Sequence, residues 1–159
     1  MRTIYTSIRK ALKEQGDFKK IALWREDIAN ISKEQVFGLP AVFIEFLPIQ
    51  WKQLSNQAKQ GDIALVLHLI SSRLDYTPID DDDEFQSELD RLELHEKLEG
   101  VLTSIQRPNG GRAMLLETNL DHSPSELFHD TLSFVFPLVT AQAKKETEQI
   151  VNLRDLSFH

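Results

Sequence analysis

Two segments decide the fold: Pro40-Ala41-Val42-Phe43-Ile44-Glu45-Phe46-Leu47 and Asp62-Ile63-Ala64-Leu65-Val66-Leu67-His68-Leu69-Ile70. Both are rich in Val, Ile, Leu and Phe, both are short for a helix, and both are bounded by turn formers, so they read as buried strands. In the first, Val42, Ile44 and Phe46 fall on one side, and Phe43, Glu45 and Leu47 on the other. In the second, Ile63, Leu65, Leu67 and Leu69 alternate with Ala64, Val66, His68 and Ile70. A strand apolar on both sides is expected in the middle of a sheet, covered above and below.

Working towards the N-terminus, Pro40 opens the first strand, where its missing N–H does least harm. Asp27 to Gly38 has no clear period and reads as a loop, with Ser32 and Gln35 placed to cap a short turn. Ile21-Ala22-Leu23-Trp24 reads as a short strand. Residues 2–15 read as an amphipathic helix, with Ile4, Ile8, Ala11 and Leu12 at helical spacing. Gly16 is the expected terminator.

Towards the C-terminus, Ile49 to Leu54 reads as a strand continuing past Pro48 or as a bent extension of the first strand, and residues 55–61 as a polar turn. Pro78 interrupts regular structure. Asp80 to Asp83 lack the alternate spacing and the glycine of a calcium loop, and Asp81 to Glu84 read instead as a helix start facing the positive end of its dipole. The helix is expected from about Glu84 to Ile105, with one broad apolar stripe of Phe85, Leu89, Leu92, Leu94, Leu98, Val101, Leu102 and Ile105. Arg107-Pro108-Asn109-Gly110-Gly111 is the strongest break. Arg112 to Leu120 reads as a strand with Met114, Leu116 and Leu120 opposite Ala113, Leu115 and Glu117. Asp121 to Ser125 reads as a turn, and Glu126 to His129 as one helical turn. Thr131 to Val139 alternates as a strand, with Pro137 at an edge or exit.

The expected architecture is α+β: a mainly antiparallel sheet of about five strands with two amphipathic helices packed on one face. Residues 1–140 form a single domain, and 141–159 a tail or docking arm carrying Ile150, Val151, Leu153, Leu156 and Phe158.

The 159 residues suit one domain. There is no cysteine, which removes disulfides, thiol nucleophiles and thiolate metal ligands. No apolar run approaches the roughly 20 residues of a membrane span, and no apolar leader is recognisable, so no membrane partner is expected. The net charge of -7 argues against binding nucleic acid by phosphate neutralisation, and no sequence-specific binding is expected. Arg9, Lys10, Lys13, Lys19 and Lys20 read as a solvated face.

No P-loop, dinucleotide fingerprint, nucleophile elbow or zinc-protease motif is present. Four weaker constellations remain. Glu45 in an apolar run is a catalytic group, a buried ion-pair member, or an ordinary half-solvated carboxylate, and the last is its commonest meaning. Glu45 with Asp62 on a neighbouring strand would make a carboxylate pair for metal-dependent nuclease chemistry, but no suitable lysine accompanies them. His68 reads as a hydrogen-bonded core or edge histidine rather than a ligand. His122 and His129, with Asp121 and Asp130, would hold a metal only if their turn folds back on itself. None is carried forward as a catalytic, cofactor-binding or metal site; no cofactor and no small-molecule substrate are expected, and the protein is read as not an enzyme.

The N-terminal helix, the short strand, the Pro40-Ala41-Val42-Phe43-Ile44-Glu45-Phe46 segment, and Gln60-Gly61-Asp62 leading to His68-Leu69-Ile70 resemble the tail terminator and tail-completion proteins of long-tailed bacteriophages and prophages. The acidic start of the second helix and the final pair of strands fit the same layout, so the resemblance covers most of residues 1–140. It implies a structural virion protein that caps the tail tube and helps join tail to head. Its implied partners are copies of itself in a ring, commonly hexameric, together with tail-tube and head-connector proteins. Its implied location is the virion, and the host cytoplasm during assembly. Two other readings stand beside it: a small acidic adaptor or immunity-type protein that binds a basic partner, and the small metal-dependent nuclease.

Overall fold

The computed structural model describes residues 2–25, 37–53, 59–72, 81–105, 111–122 and 127–139. It is an α+β fold: α1 (Arg2–Gln15), β1 (Lys20–Leu23), β2 (Ala41–Phe46), β3 (Trp51–Gln53), β4 (Lys59–Ser72), α2 (Asp81–Ser104), β5 (Met114–Asn119) and β6 (Leu127–Val139). The six strands form one sheet in the order β1-β2-β4-β6-β5, with β3 also paired to β4. Among the described strands only β1 and β2 run parallel; the other pairings are antiparallel.

The strand that is apolar on both sides lies at the centre. β4 carries β2 on one edge and β6 on the other, from Gln60↔Val139 to Ser72↔Leu127. Its alternation separates two cores. Ile63, Leu65, Leu67 and Leu69 join Val42 and Ile44 of β2, Leu132, Phe134 and Phe136 of β6, and residues of both helices: Ile4, Ile8 and Leu12 of α1, and Leu98, Val101 and Leu102 of α2. On the other side, Ile70 packs with Ala41 and Phe43, flanked by Ala22, Trp24, Phe37, Leu39 and Leu127. Each fully buried Leu, Ile or Phe contributes about 1.5–3 kcal/mol of transfer free energy, so the larger cluster dominates the stability.

Local chemistry sets the ends of the elements. α1 stops at Gly16, whose φ of +81° lies in the left-handed region that a Cβ disfavours. The Leu39–Pro40 peptide is cis, and β2 begins at the next residue. Of the two readings of the segment beyond Pro48, direct continuation of β2 is not found: β2 ends at Phe46 and Trp51–Gln53 form a separate short strand, β3, on β4. Their pairing places Gly61 so that a Cβ would lie 3.0 Å from the Ile49 and Trp51 side chains. Gly100 does not interrupt α2, which continues to Ser104.

Three expectations are corrected. First, residues Leu127 to His129 are not a helical turn: β6 begins at Leu127, because Ile70, Ser71 and Ser72 extend β4 and supply backbone partners to His129, Phe128 and Leu127. Second, β5 does not alternate regularly. Leu115 faces Phe134, yet Glu117 faces Ser133, so a bulge turns Leu115 and Glu117 to opposite sides of the sheet. Third, the apolar residues of α2 do not form one stripe. Leu98, Val101 and Leu102 are buried, while Phe85, Leu89 and Leu92 are exposed, Phe85 by 61%. At 3.6 residues per turn the two sets lie on roughly opposite sides of the helix.

Pro137 lies within β6, which continues to Val139 beside β4, but two residues beyond Val135, where the β5 register ends; of the two positions expected for it this is the sheet edge, not the exit. The expected Ser32–Gln35 turn, most of the loops at 27–38 and 73–80, the turn at 55–58, the break at 107–110, the centre of the turn at 123–125 and the tail at 141–159 lie outside the described residues, as do the side chains of Asp81 to Glu84.

Candidate functional site

Two polar clusters are built into the sheet, one on each side, and both pass through β6. Alternation sends the neighbours His129 and Asp130 in opposite directions.

Asp130 faces the larger core and is fully buried. It accepts hydrogen bonds from Arg91 Nε at 2.8 Å, from Arg91 Nη2, from His95 Nε2 at 2.7 Å and from the Asp121 amide at 2.8 Å. Arg91 also donates to the Asp121 carbonyl at 3.0 Å, and its guanidinium lies 3.8 Å from the centre of the Phe128 ring. Burial alone would raise the Asp130 carboxyl; the bonds from Arg91, His95 and the Asp121 amide overcome that and hold it well below the ordinary carboxylate range. Arg91 and His95 are i and i+4 on α2, so a single carboxylate fastens that helix to β6 and to the segment after β5. His95 Nδ1 is buried without a hydrogen-bond partner among the described residues.

On the other side, the registers Phe43↔His68, Glu45↔Val66 and Ile70↔His129 set Glu45, His68 and His129 on adjacent strands of one face. His68 Nε2 lies 3.0 Å from Glu45 Oε2, and His68 Nδ1 lies 2.9 Å from His129 Nε2. Trp24, anchored by its amide to the Ile44 carbonyl at 2.9 Å, stacks on His68 with ring centres 3.8 Å apart and planes 8° from parallel. It also stacks on His129 and meets Phe43 edge-on. Burial lowers the pKa of His68; the Glu45 bond opposes this and the neighbouring His129 adds to it. Burial likewise lowers His129, against the pull of Asp121 and Asp130.

The two imidazoles meet head-on. Their centres are 5.2 Å apart, about the 2.9 Å nitrogen separation plus one ring radius at each end. Two imidazole nitrogens bound at about 2.0–2.1 Å to one tetrahedral metal would lie about 3.3–3.4 Å apart, and the 2.9 Å separation here is shorter. The contact is therefore a hydrogen bond. Among the described residues, no group of three or more His, Cys, Asp or Glu side chains is arranged to hold a metal ion.

The residues singled out in the sequence are thus redistributed. Glu45 is half-solvated, as its commonest meaning suggests, but it has a histidine partner. Asp62 faces Pro137, four residues along β4 from Val66, the register partner of Glu45; at 3.3 Å per residue that is about 13 Å, so the carboxylate pair is not formed. The turn does not gather His122, His129, Asp121 and Asp130 around one point: His129 and Asp130 face opposite sides, and Asp121 accepts the His129 amide at 3.0 Å. His122 is exposed. Sequence reading missed Trp24, Arg91 and His95. The one local signal was two polar residues at i and i+4 on the same side of α2 as Leu98 and Leu102.

Two exposed apolar surfaces complete the picture. One is the outward side of α2, Phe85, Leu89 and Leu92; the other is on β5, the last strand of the sheet, where Met114 and Leu116 are exposed, followed by Leu120. No helix among the described residues is long and apolar enough to cross a membrane. No protein-family model matches the chain, and no curated protein matches it.

Proposed function

We propose that this chain is a structural assembly protein of the tail terminator type, which caps a phage tail tube as a ring of identical subunits and helps join the tail to the head. The observation that carries the reading is the outward side of α2. Phe85, Leu89 and Leu92 recur at i, i+4 and i+7, yet they point away from the core that the same helix buries with Leu98 and Leu102. Apolar side chains left exposed together on one side of a helix mark a surface for contact with another molecule, here read as a protein. In a ring each subunit presents two different patches, one to each neighbour. The outward side of α2 and the exposed β5 residues are two such patches on one subunit.

The test is deletion of the reading frame from the genome that carries it, followed by electron microscopy of the induced lysate. Heads and tails that remain unjoined, and that join when the protein is supplied in trans, support the reading. Intact virions, or an absence of any phage particles from the parent, would overturn it.

A further inference from the structure

The line Glu45–His68–His129 has a defined direction. A carboxylate only accepts, so His68 Nε2 carries a proton and donates it to Glu45 across 3.0 Å. Neutral His68 then has a lone pair on Nδ1, and His129 Nε2 must donate to it across 2.9 Å. The line therefore ends at His129 Nδ1, a lone pair with no hydrogen-bond partner among the described residues, on a residue that is only partly buried.

We propose that Glu45, His68 and His129 form a relay that takes up one proton at His129 Nδ1, stores it on His68, and loosens the stacked Trp24 ring when a second proton arrives. In the first step a solvent proton bonds to His129 Nδ1, the Nε2 proton of His129 passes to His68 Nδ1, and the hydrogen bond reverses direction without breaking. The stored cation lies between the Glu45 carboxylate and the face of Trp24, both of which favour it. The second proton leaves neither imidazole with a lone pair. Two cations then face each other across a contact that held only while one nitrogen accepted, so the pair separates and Trp24 loses part of its stacking surface.

The charged groups around the relay agree with this order. Glu45 on β2 faces His68. Asp121, beside the start of β6, accepts the His129 amide and, with Asp130, favours a proton carried on His129 itself. Arg25 follows Trp24 in the chain. Asp130, Arg91 and His95 lie on the opposite side of the sheet, bonded to one another. Burial lowers both imidazoles, which places proton uptake below their ordinary value of about 6.5. The relay does not depend on what the chain assembles with, so its test and that of the assembly role fail separately.

The experiment uses the full chain carrying W51F, which leaves Trp24 as the one tryptophan. Long-range proton–nitrogen NMR at pH 8 should show both His68 and His129 protonated on Nε2. On acidification, Trp24 emission should change in two steps below pH 6.5, and His129→Gln should abolish the more acidic step while the first persists. A His68 ring protonated on Nδ1 at pH 8, or a two-step Trp24 profile unchanged by His129→Gln, would overturn the proposal. If His129→Gln does not fold, the tautomer measurement decides alone.

Discussion

The two sides of α2 carry similar apolar residues at similar spacing and have opposite fates. Leu98, Val101 and Leu102 disappear into the larger core, while Phe85, Leu89 and Leu92 stay in solvent. Between them along the helix, Arg91 and His95 clasp Asp130. The comparison separates two meanings of an apolar helical residue. On one side it holds the domain together; on the other its surface is left over after the domain has folded. The clasp fixes which side faces the sheet, because Arg91 and His95 share the buried side with Leu98.

The largest effect should come from breaking the clasp. Asp130→Ala leaves the Arg91 guanidinium and the His95 ring without their shared acceptor, and should cost about 3–5 kcal/mol in urea unfolding. Leu98→Ala, on the buried side, should cost about 2–5 kcal/mol through lost transfer energy and the cavity left behind. A cost under 1 kcal/mol for either would mean that α2 is not fastened as described.

Acid should distinguish the clasp from the histidine relay. His68 and His129 have lowered values, so the unfolded chain takes up protons first, and stability falls as the pH drops below about 6.5. Asp130 is held well below the ordinary range, so its contribution is complete above about pH 3.9 and is lost only below it. Stability measured against pH should therefore fall in two separate windows, and Asp130→Asn should remove only the lower one. A single fall confined to the lower window would contradict the histidine assignment.

The smallest effect on folding should come from the outward side. Replacing Phe85, Leu89 and Leu92 with serine should change stability by about 0.5 kcal/mol or less per site, the usual range for exposed positions. Circular dichroism and the unfolding midpoint check this.

Much of the fold was legible because its signals are local. α1, with its stop at Gly16, and the alternation of β2 and β4 follow from period and turn chemistry within a few residues. The errors fall where distant partners decide. Leu127 to His129 became strand because Ile70 to Ser72, more than fifty residues earlier, needed partners. Arg91 and His95 are tolerated on a buried helix side only because Asp130 awaits them. The bulge in β5 is set by its register with β6. Of the candidate sites, Glu45 and His68 were visible as polar exceptions in apolar runs. Their pairing was not, since it depends on register, and the sequence suggested Asp62 as the partner instead.

The most direct test of the central claim, that the outward side of α2 is an assembly surface, compares the unmodified chain with F85S/L89S/L92S. Each is mixed with headless tail tubes and imaged by electron microscopy. Ring-capped tube ends are expected with the unmodified chain and bare ends with the triple variant, both chains being folded. Capped ends with both, or bare ends with both, would contradict it.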